Sequence, residues 1–141
     1  MKHLCAIDRL TGTDSTRHKI LIMDDEEVIR DLISEVLIGN GFSACSAADG
    51  TEAVRLYREA IIAGEPFDAV ILDLSVPKGI GGKATIDTLL EIDPQVKAIV
   101  SSGYPDDPIV QDYKRHGFRG VLLKPCDIAS ISSIIDEALK D

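Results

Sequence analysis

Short apolar runs recur along the chain at Ile20-Leu21-Ile22-Met23, Ala69-Val70-Ile71-Leu72, Val96 to Val100 and Val121-Leu122-Leu123. A strand with one wet face alternates polar and apolar residues, so a continuous apolar run reads as a strand covered on both faces, as in a parallel sheet. A weaker strand, Phe42 to Ala47, falls between the first two. The stretches between the strands carry helical spacing instead. Val28, Ile29, Leu32, Ile33, Val36 and Leu37 form one apolar stripe, which Gly39-Asn40-Gly41 terminates. A second helix is predicted from Asp49, whose side chain caps it with Glu52 three residues on, and turns Ala53, Leu56, Tyr57, Ala60 and Ile61 inward. A third runs from about Gly82 to Ile92 and stops before Asp93-Pro94. The fourth has Asp107 as its cap and Pro108 at the first helical position, where a missing N–H costs nothing. The last runs from Asp127 to Lys140, with Ile128, Ile131, Ile134, Ile135, Ala138 and Leu139 facing the core.

Strands and helices that alternate over short connections close as a parallel sheet, because parallel neighbours need crossover connections. The expected fold is a doubly wound α/β domain, a five-stranded parallel sheet with helices on both faces, flavodoxin-like in outline. Ligands in that architecture sit outside the carboxyl ends of the strands, near the point where strand order reverses. Functional residues should therefore follow strands directly.

Composition narrows the class. A chain of 141 residues with 45% apolar and 28% charged residues is the size of one domain and resembles neither a disordered nor a membrane protein. No apolar run reaches the roughly 18 to 20 residues that span a bilayer. Residues 1–18 show no sustained period and read as a linker or tail, with the domain over 19–141. The N-terminus lacks the apolar stretch of a secretory signal, which leaves the cytoplasm as the default location. Acidic residues outnumber basic ones, 24 to 15, and the net charge of −9 repels a phosphate backbone, so direct nucleic-acid binding is not expected. Cys5, Cys45 and Cys126 are odd in number and form no C-x-x-C pair, which indicates neither a disulfide framework nor a zinc site.

The chemistry gathers where the apolar runs end. Asp24 and Asp25 follow the first strand, Asp73 the third, Ser101 the fourth and Lys124 the fifth, and all should converge on one rim. Carboxylates brought within a few ångströms repel, and a hard cation that seeks oxygen relieves them. Mg²⁺ suits this set, since it takes about two carboxylates and keeps positions for water and phosphate oxygens. A carboxylate in such a site can attack phosphorus, and Asp73, at the tip of the central strand, is the candidate. Phosphoryl transfer needs little beyond positioning and charge neutralisation, which the metal, the Lys124 ammonium and the Ser101 hydroxyl would supply.

The segments Ile20-Leu21-Ile22-Met23-Asp24-Asp25-Glu26, Val70-Ile71-Leu72-Asp73 with Pro77 four residues on, Val100-Ser101-Ser102-Gly103 and Leu123-Lys124-Pro125 resemble the receiver domain of bacterial response regulators and hybrid histidine kinases. The resemblance runs from about Lys19 to Leu139, and Ala98 to Tyr104 is similar to receivers attached to sensor kinases. It implies a phosphoacceptor in a two-component phosphorelay. Asp73 would take the phosphoryl group from a phosphohistidine on a histidine kinase, in the same chain or another. Asp25 and Asp73 would bind Mg²⁺ directly, Asp24 through water, and the backbone carbonyl of Ser75 would complete the protein ligands. Lys124 would contact the phosphoryl group, the Ser101 hydroxyl would turn toward it, and the Lys124-Pro125 peptide would be cis. One position departs from the pattern: Val121 stands three residues before the lysine, where receivers often carry an aromatic, and Tyr104 is the nearest substitute. The absence of an output domain points to a stand-alone regulator or a piece of a hybrid kinase.

Other readings are weaker. A phosphatase with an aspartyl nucleophile would place a second acid two residues on, and Ser75 stands there; a flavodoxin-like cofactor module would need more aromatics than three Phe, three Tyr and no Trp. Gly79-Ile80-Gly81-Gly82-Lys83-Ala84 fits a loose G-x-G-x-x-A, but follows the third strand and lacks the later acidic residue. Asp25 taken alone reads as a helix cap, and His116 as a cation at the end of the fourth helix.

Overall fold

The computed structural model describes residues 18–75 and 81–140. Except for His18, the expected tail lies outside the described residues. Five strands, β1 (Lys19–Met23), β2 (Ser43–Ala47), β3 (Ala69–Asp73), β4 (Ala98–Ser102) and β5 (Gly120–Leu123), pair in parallel in the order β2-β1-β3-β4-β5. Between and after them lie α1 (Glu27–Gly39), α2 (Gly50–Ile62), α3 (Gly82–Ile92), α4 (Pro108–Gln111) and α5 (Ile128–Leu139).

The apolar strands are doubly covered. Leu21, Met23, Val70, Leu72, Ala98 and Val100 share one core with Ala53, Leu56, Tyr57 and Ala60 of α2 and Ile86 and Leu89 of α3. Ile20, Ile22, Ala69, Ile71 and Ile99 share the other with Ile33, Val36 and Leu37 of α1 and Ile131, Ile135 and Ala138 of α5. Alternate residues of each strand thus feed opposite layers, and each fully buried Leu or Ile adds about 1.5–3 kcal/mol. The register aligns Met23 with Leu72 and Asp73 with Ser101, which sets the ends of the central strands level. The strand order reverses about β1 and β3, so the crevice for a ligand opens there.

The helix ends follow their local chemistry. Asn40 closes α1, its side-chain amide and backbone N–H both donating to the Val36 carbonyl, and Gly41 then takes φ +91°. Asp49 accepts from the Glu52 N–H at 3.0 Å while Glu52 accepts from Ala48 at 2.7 Å, a capping box displaced by one residue. Asp107 and Asp127 cap α4 and α5.

Two expectations need correction. The fourth helix is a single turn: past Gln111 the backbone runs through i to i−3 turns donated by Arg115, His116 and Gly117. Tyr113, one turn on from Ile109, still packs against the same core, so the segment stays docked although its bonds tighten to i to i−3. His116 therefore ends no helix. Val28 and Ile128, expected inward, are 78% and 62% exposed, and Leu32, one turn on from Val28 in the same stripe, is exposed as well. Ile61, in the last turn of α2, is likewise exposed. Cys126 carries a free thiol. Among the described residues no helix is long and apolar enough to cross a membrane.

Candidate functional site

The carboxyl end of β1 turns sharply at Asp24. Its backbone N–H donates to the Ala47 carbonyl at 3.1 Å, one last rung toward β2, and its Oδ1 accepts from the Glu26 N–H at 2.9 Å. Asp24, not Asp25, thus ties down the approach to α1, whose N-cap residue Glu26 makes no side-chain capping bond. β3 ends at Asp73, whose Oδ1 accepts from the Ser75 N–H at 3.0 Å. Both aspartates are 1% exposed. Asp25 is exposed, yet one carboxylate oxygen from each of Asp24, Asp25 and Asp73 can be chosen so that all lie within 4.8 Å of one another.

Lys124 enters from the end of β5. Its Nζ lies 2.7 Å from Asp24 Oδ2 and 3.2 Å from Asp73 Oδ2. The Lys124 N–H donates to the Ser102 carbonyl, the Leu74 N–H to the Ser101 carbonyl, and the Lys124-Pro125 peptide is cis, as expected. Ser101 sits beside Asp73 in register, and among the described residues its buried hydroxyl has no hydrogen-bond partner. A buried hydroxyl left unsatisfied costs about 1–3 kcal/mol, so its presence points to a partner supplied by a ligand.

Electrostatics agree with the geometry. Burial first, and then the neighbouring Asp24 charge, push the Asp73 carboxyl above its ordinary pKa, although the Ser75 N–H and Lys124 pull the other way. Burial works against the Lys124 charge, but the hydrogen bond it donates to Asp24 and the charges of both aspartates outweigh it and raise its pKa. One ammonium among three carboxylates leaves the pocket net negative. Its donors are all hard oxygens, partly dry and partly open, a set that fits Mg²⁺ and would also leave room for phosphate oxygens.

The five side chains singled out in the sequence, Asp24, Asp25, Asp73, Ser101 and Lys124, therefore meet on one rim. Ser75 adjoins it through its N–H. Tyr104 does not join: it is 64% exposed, and its backbone alone is engaged, the N–H donating to Ser102 Oγ and the carbonyl accepting from the Asp107 N–H. Val121 packs at the margin of the core shared by α2 and α3. Three further neighbours complete the surroundings; Arg30 and Thr85 went unnoticed in the sequence, where Gly82 reads only as the start of the third helix and part of a glycine-rich turn. Arg30 of α1 reaches the Asp24 carbonyl with its guanidinium at 2.7 Å. Gly82 starts α3 against β3, where a Cβ would stand 2.9 Å from the Asp73 carbonyl oxygen. The buried Thr85 hydroxyl donates to the Gly81 carbonyl at 2.7 Å. Each acts through backbone, which residue patterns do not record.

This architecture and rim define a phosphoacceptor module of two-component signalling. A family model described as the response regulator receiver domain matches residues 20–136, and the chain belongs to that family. It is 31% identical to the sporulation initiation phosphotransferase F of Bacillus subtilis over 86% of this chain and 93% of that one. The chemotaxis protein CheY of the same organism is 28% identical over 86% of this chain and 98% of its own length. A Borrelia burgdorferi structure described as a CheX-CheY-BeF3-Mg²⁺ complex superposes with a TM-score of 0.79 at 25% identity, covering 88% of this chain and 90% of that one.

Proposed function

We propose that Asp73 accepts a phosphoryl group from a phosphohistidine of a histidine kinase, in cis or in trans, and that the acyl phosphate so formed shifts a two-state equilibrium of the domain. The observation that carries the reading is the buried Asp73 carboxylate, flanked by the Lys124 ammonium and by the orphaned Ser101 hydroxyl. An Asp73 carboxylate oxygen attacks phosphorus as the nitrogen–phosphorus bond breaks and the imidazole leaves with the electron pair. Lys124 neutralises a phosphoryl oxygen, and Ser101 donates its free hydroxyl to another.

Asp25, Asp73 and the Ser75 carbonyl would hold Mg²⁺ directly, with Asp24 acting through water. Bound there, the ion would supply charge neutralisation for the carboxylates and the phosphoryl oxygens. The domain catalyses transfer onto itself and turns over no external substrate. A kinase donor accords with a cytoplasmic location, and the net charge of −9 argues against direct contact with nucleic acid.

Incubation with acetyl phosphate and Mg²⁺ should add one phosphate to the intact mass, and Asp73→Asn should abolish the addition. An unchanged wild-type mass would overturn the proposal.

A further inference from the structure

The acidic rim contains one ligand candidate with no support of its own. Asp24 is held at four points, by Ala47, Glu26, Lys124 and Arg30, and Asp73 by Ser75 and Lys124. Asp25 is exposed, and among the described residues its side chain makes no hydrogen bond or ion pair. Its carboxylate is therefore aimed by backbone alone. The peptide that aims it joins Asp24 to Asp25, and the carbonyl of that peptide accepts the 2.7 Å bond from the Arg30 guanidinium.

Arg30 has other choices. It stands in the first turns of α1 beside Glu26, Glu27 and Asp31, yet it forms a salt bridge with none of them. An exposed ion pair on a helix surface is worth only a few tenths of a kcal/mol, whereas a charged donor on a half-buried carbonyl is a stronger and more directional bond. The guanidinium also comes from the helix that leaves this loop, so it closes a six-residue link that locks the turn between β1 and α1.

We propose that Arg30 is a positioning residue for the divalent cation: by fixing the peptide between Asp24 and Asp25, it holds the exposed Asp25 carboxylate in place to ligate. This rests on the metal reading of the rim given above. Outer-sphere partners of this kind commonly carry 10–100-fold in metal affinity. The positive charge of Arg30 acts in the opposite sense, since a cation near the rim repels Mg²⁺, and that opposition gives the test a sign.

Mg²⁺ titration followed by calorimetry, on wild type, Arg30→Met and Arg30→Lys, decides between the two effects. Positioning predicts affinity weakened about tenfold in Arg30→Met and largely retained in Arg30→Lys, with phosphorylation of Arg30→Met by acetyl phosphate recovering at high Mg²⁺. Affinity unchanged or tightened in Arg30→Met overturns the proposal. So does a lower melting temperature without Mg²⁺ while affinity is kept, which would mark Arg30 as structural only. If Arg30→Met does not fold, Arg30→Gln takes its place with the same two outcomes. Failure of the wild type to bind Mg²⁺ would instead remove the metal reading itself.

Discussion

Ser101 and Asp73 show how a side chain can be wrong for the fold and right for the site. The Ser101 hydroxyl is buried without a partner, so Ser101→Ala relieves an unsatisfied group and should leave the melting temperature unchanged or higher. The same change should slow acetyl phosphate uptake, measured by intact mass against time. Asp73 carries a comparable tension. With its pKa raised in the folded state, chiefly by burial, the native protein holds more protons than the unfolded chain just above the ordinary carboxylate range. Stability therefore falls as pH rises through that window, and the full cost stands at neutral pH. Metal-free Asp73→Asn should consequently melt above wild type at pH 7, with the difference shrinking as pH drops toward 4 in circular dichroism melts. Lys124 has the reverse sign: its raised pKa keeps the stabilising ion pairs intact throughout the neutral range and loses them only above the usual lysine value. These residues could be named from sequence because each follows a buried strand. Arg30 could not, since what it touches is main chain.

At the scale of elements, α3 and the end of β3 are coupled by contact between backbones. Gly82 lets the helix begin directly against Asp73; a methyl group there would meet the Asp73 carbonyl at 2.9 Å and the Leu74 side chain at 3.2 Å. Gly82→Ala should cost about 1–3 kcal/mol in chemical denaturation and slow phosphorylation as well, because the helix must retreat from the acceptor residue. By contrast Asp49→Ala removes a carboxylate that bonds only the Glu52 N–H and none of the rim's side chains, and it should cost about 1 kcal/mol while leaving the phosphorylation rate alone. The helices with sustained apolar stripes were legible in the sequence. α4 was not, for its capping signal at Asp107-Pro108 is genuine and nothing in the residue pattern marks the change to i to i−3 bonds after one turn.

For the whole molecule, three carboxylates from two distant segments bind the metal site to the fold. A ligand that binds only the native state stabilises it by mass action, about 2.7 kcal/mol at a hundredfold excess over Kd. Mg²⁺ should therefore raise the melting temperature of wild type, and Asp25→Asn should abolish most of that rise, as thermal melts with and without the ion would show. The amino-acid sequence by itself determined the class of fold and the membership of the rim. Apolar runs bounded by turns leave one way to bury both faces of each strand, and that arrangement puts every strand's carboxyl end on one side. The tertiary structure alone decided that β1 lies between β2 and β3, that Lys124 bridges Asp24 and Asp73, that Ser101 is left without a partner, and that Arg30 grips the loop between the acids. Those are distances between segments far apart in sequence or bonds to main-chain atoms, and neither kind leaves a mark in the order of side chains.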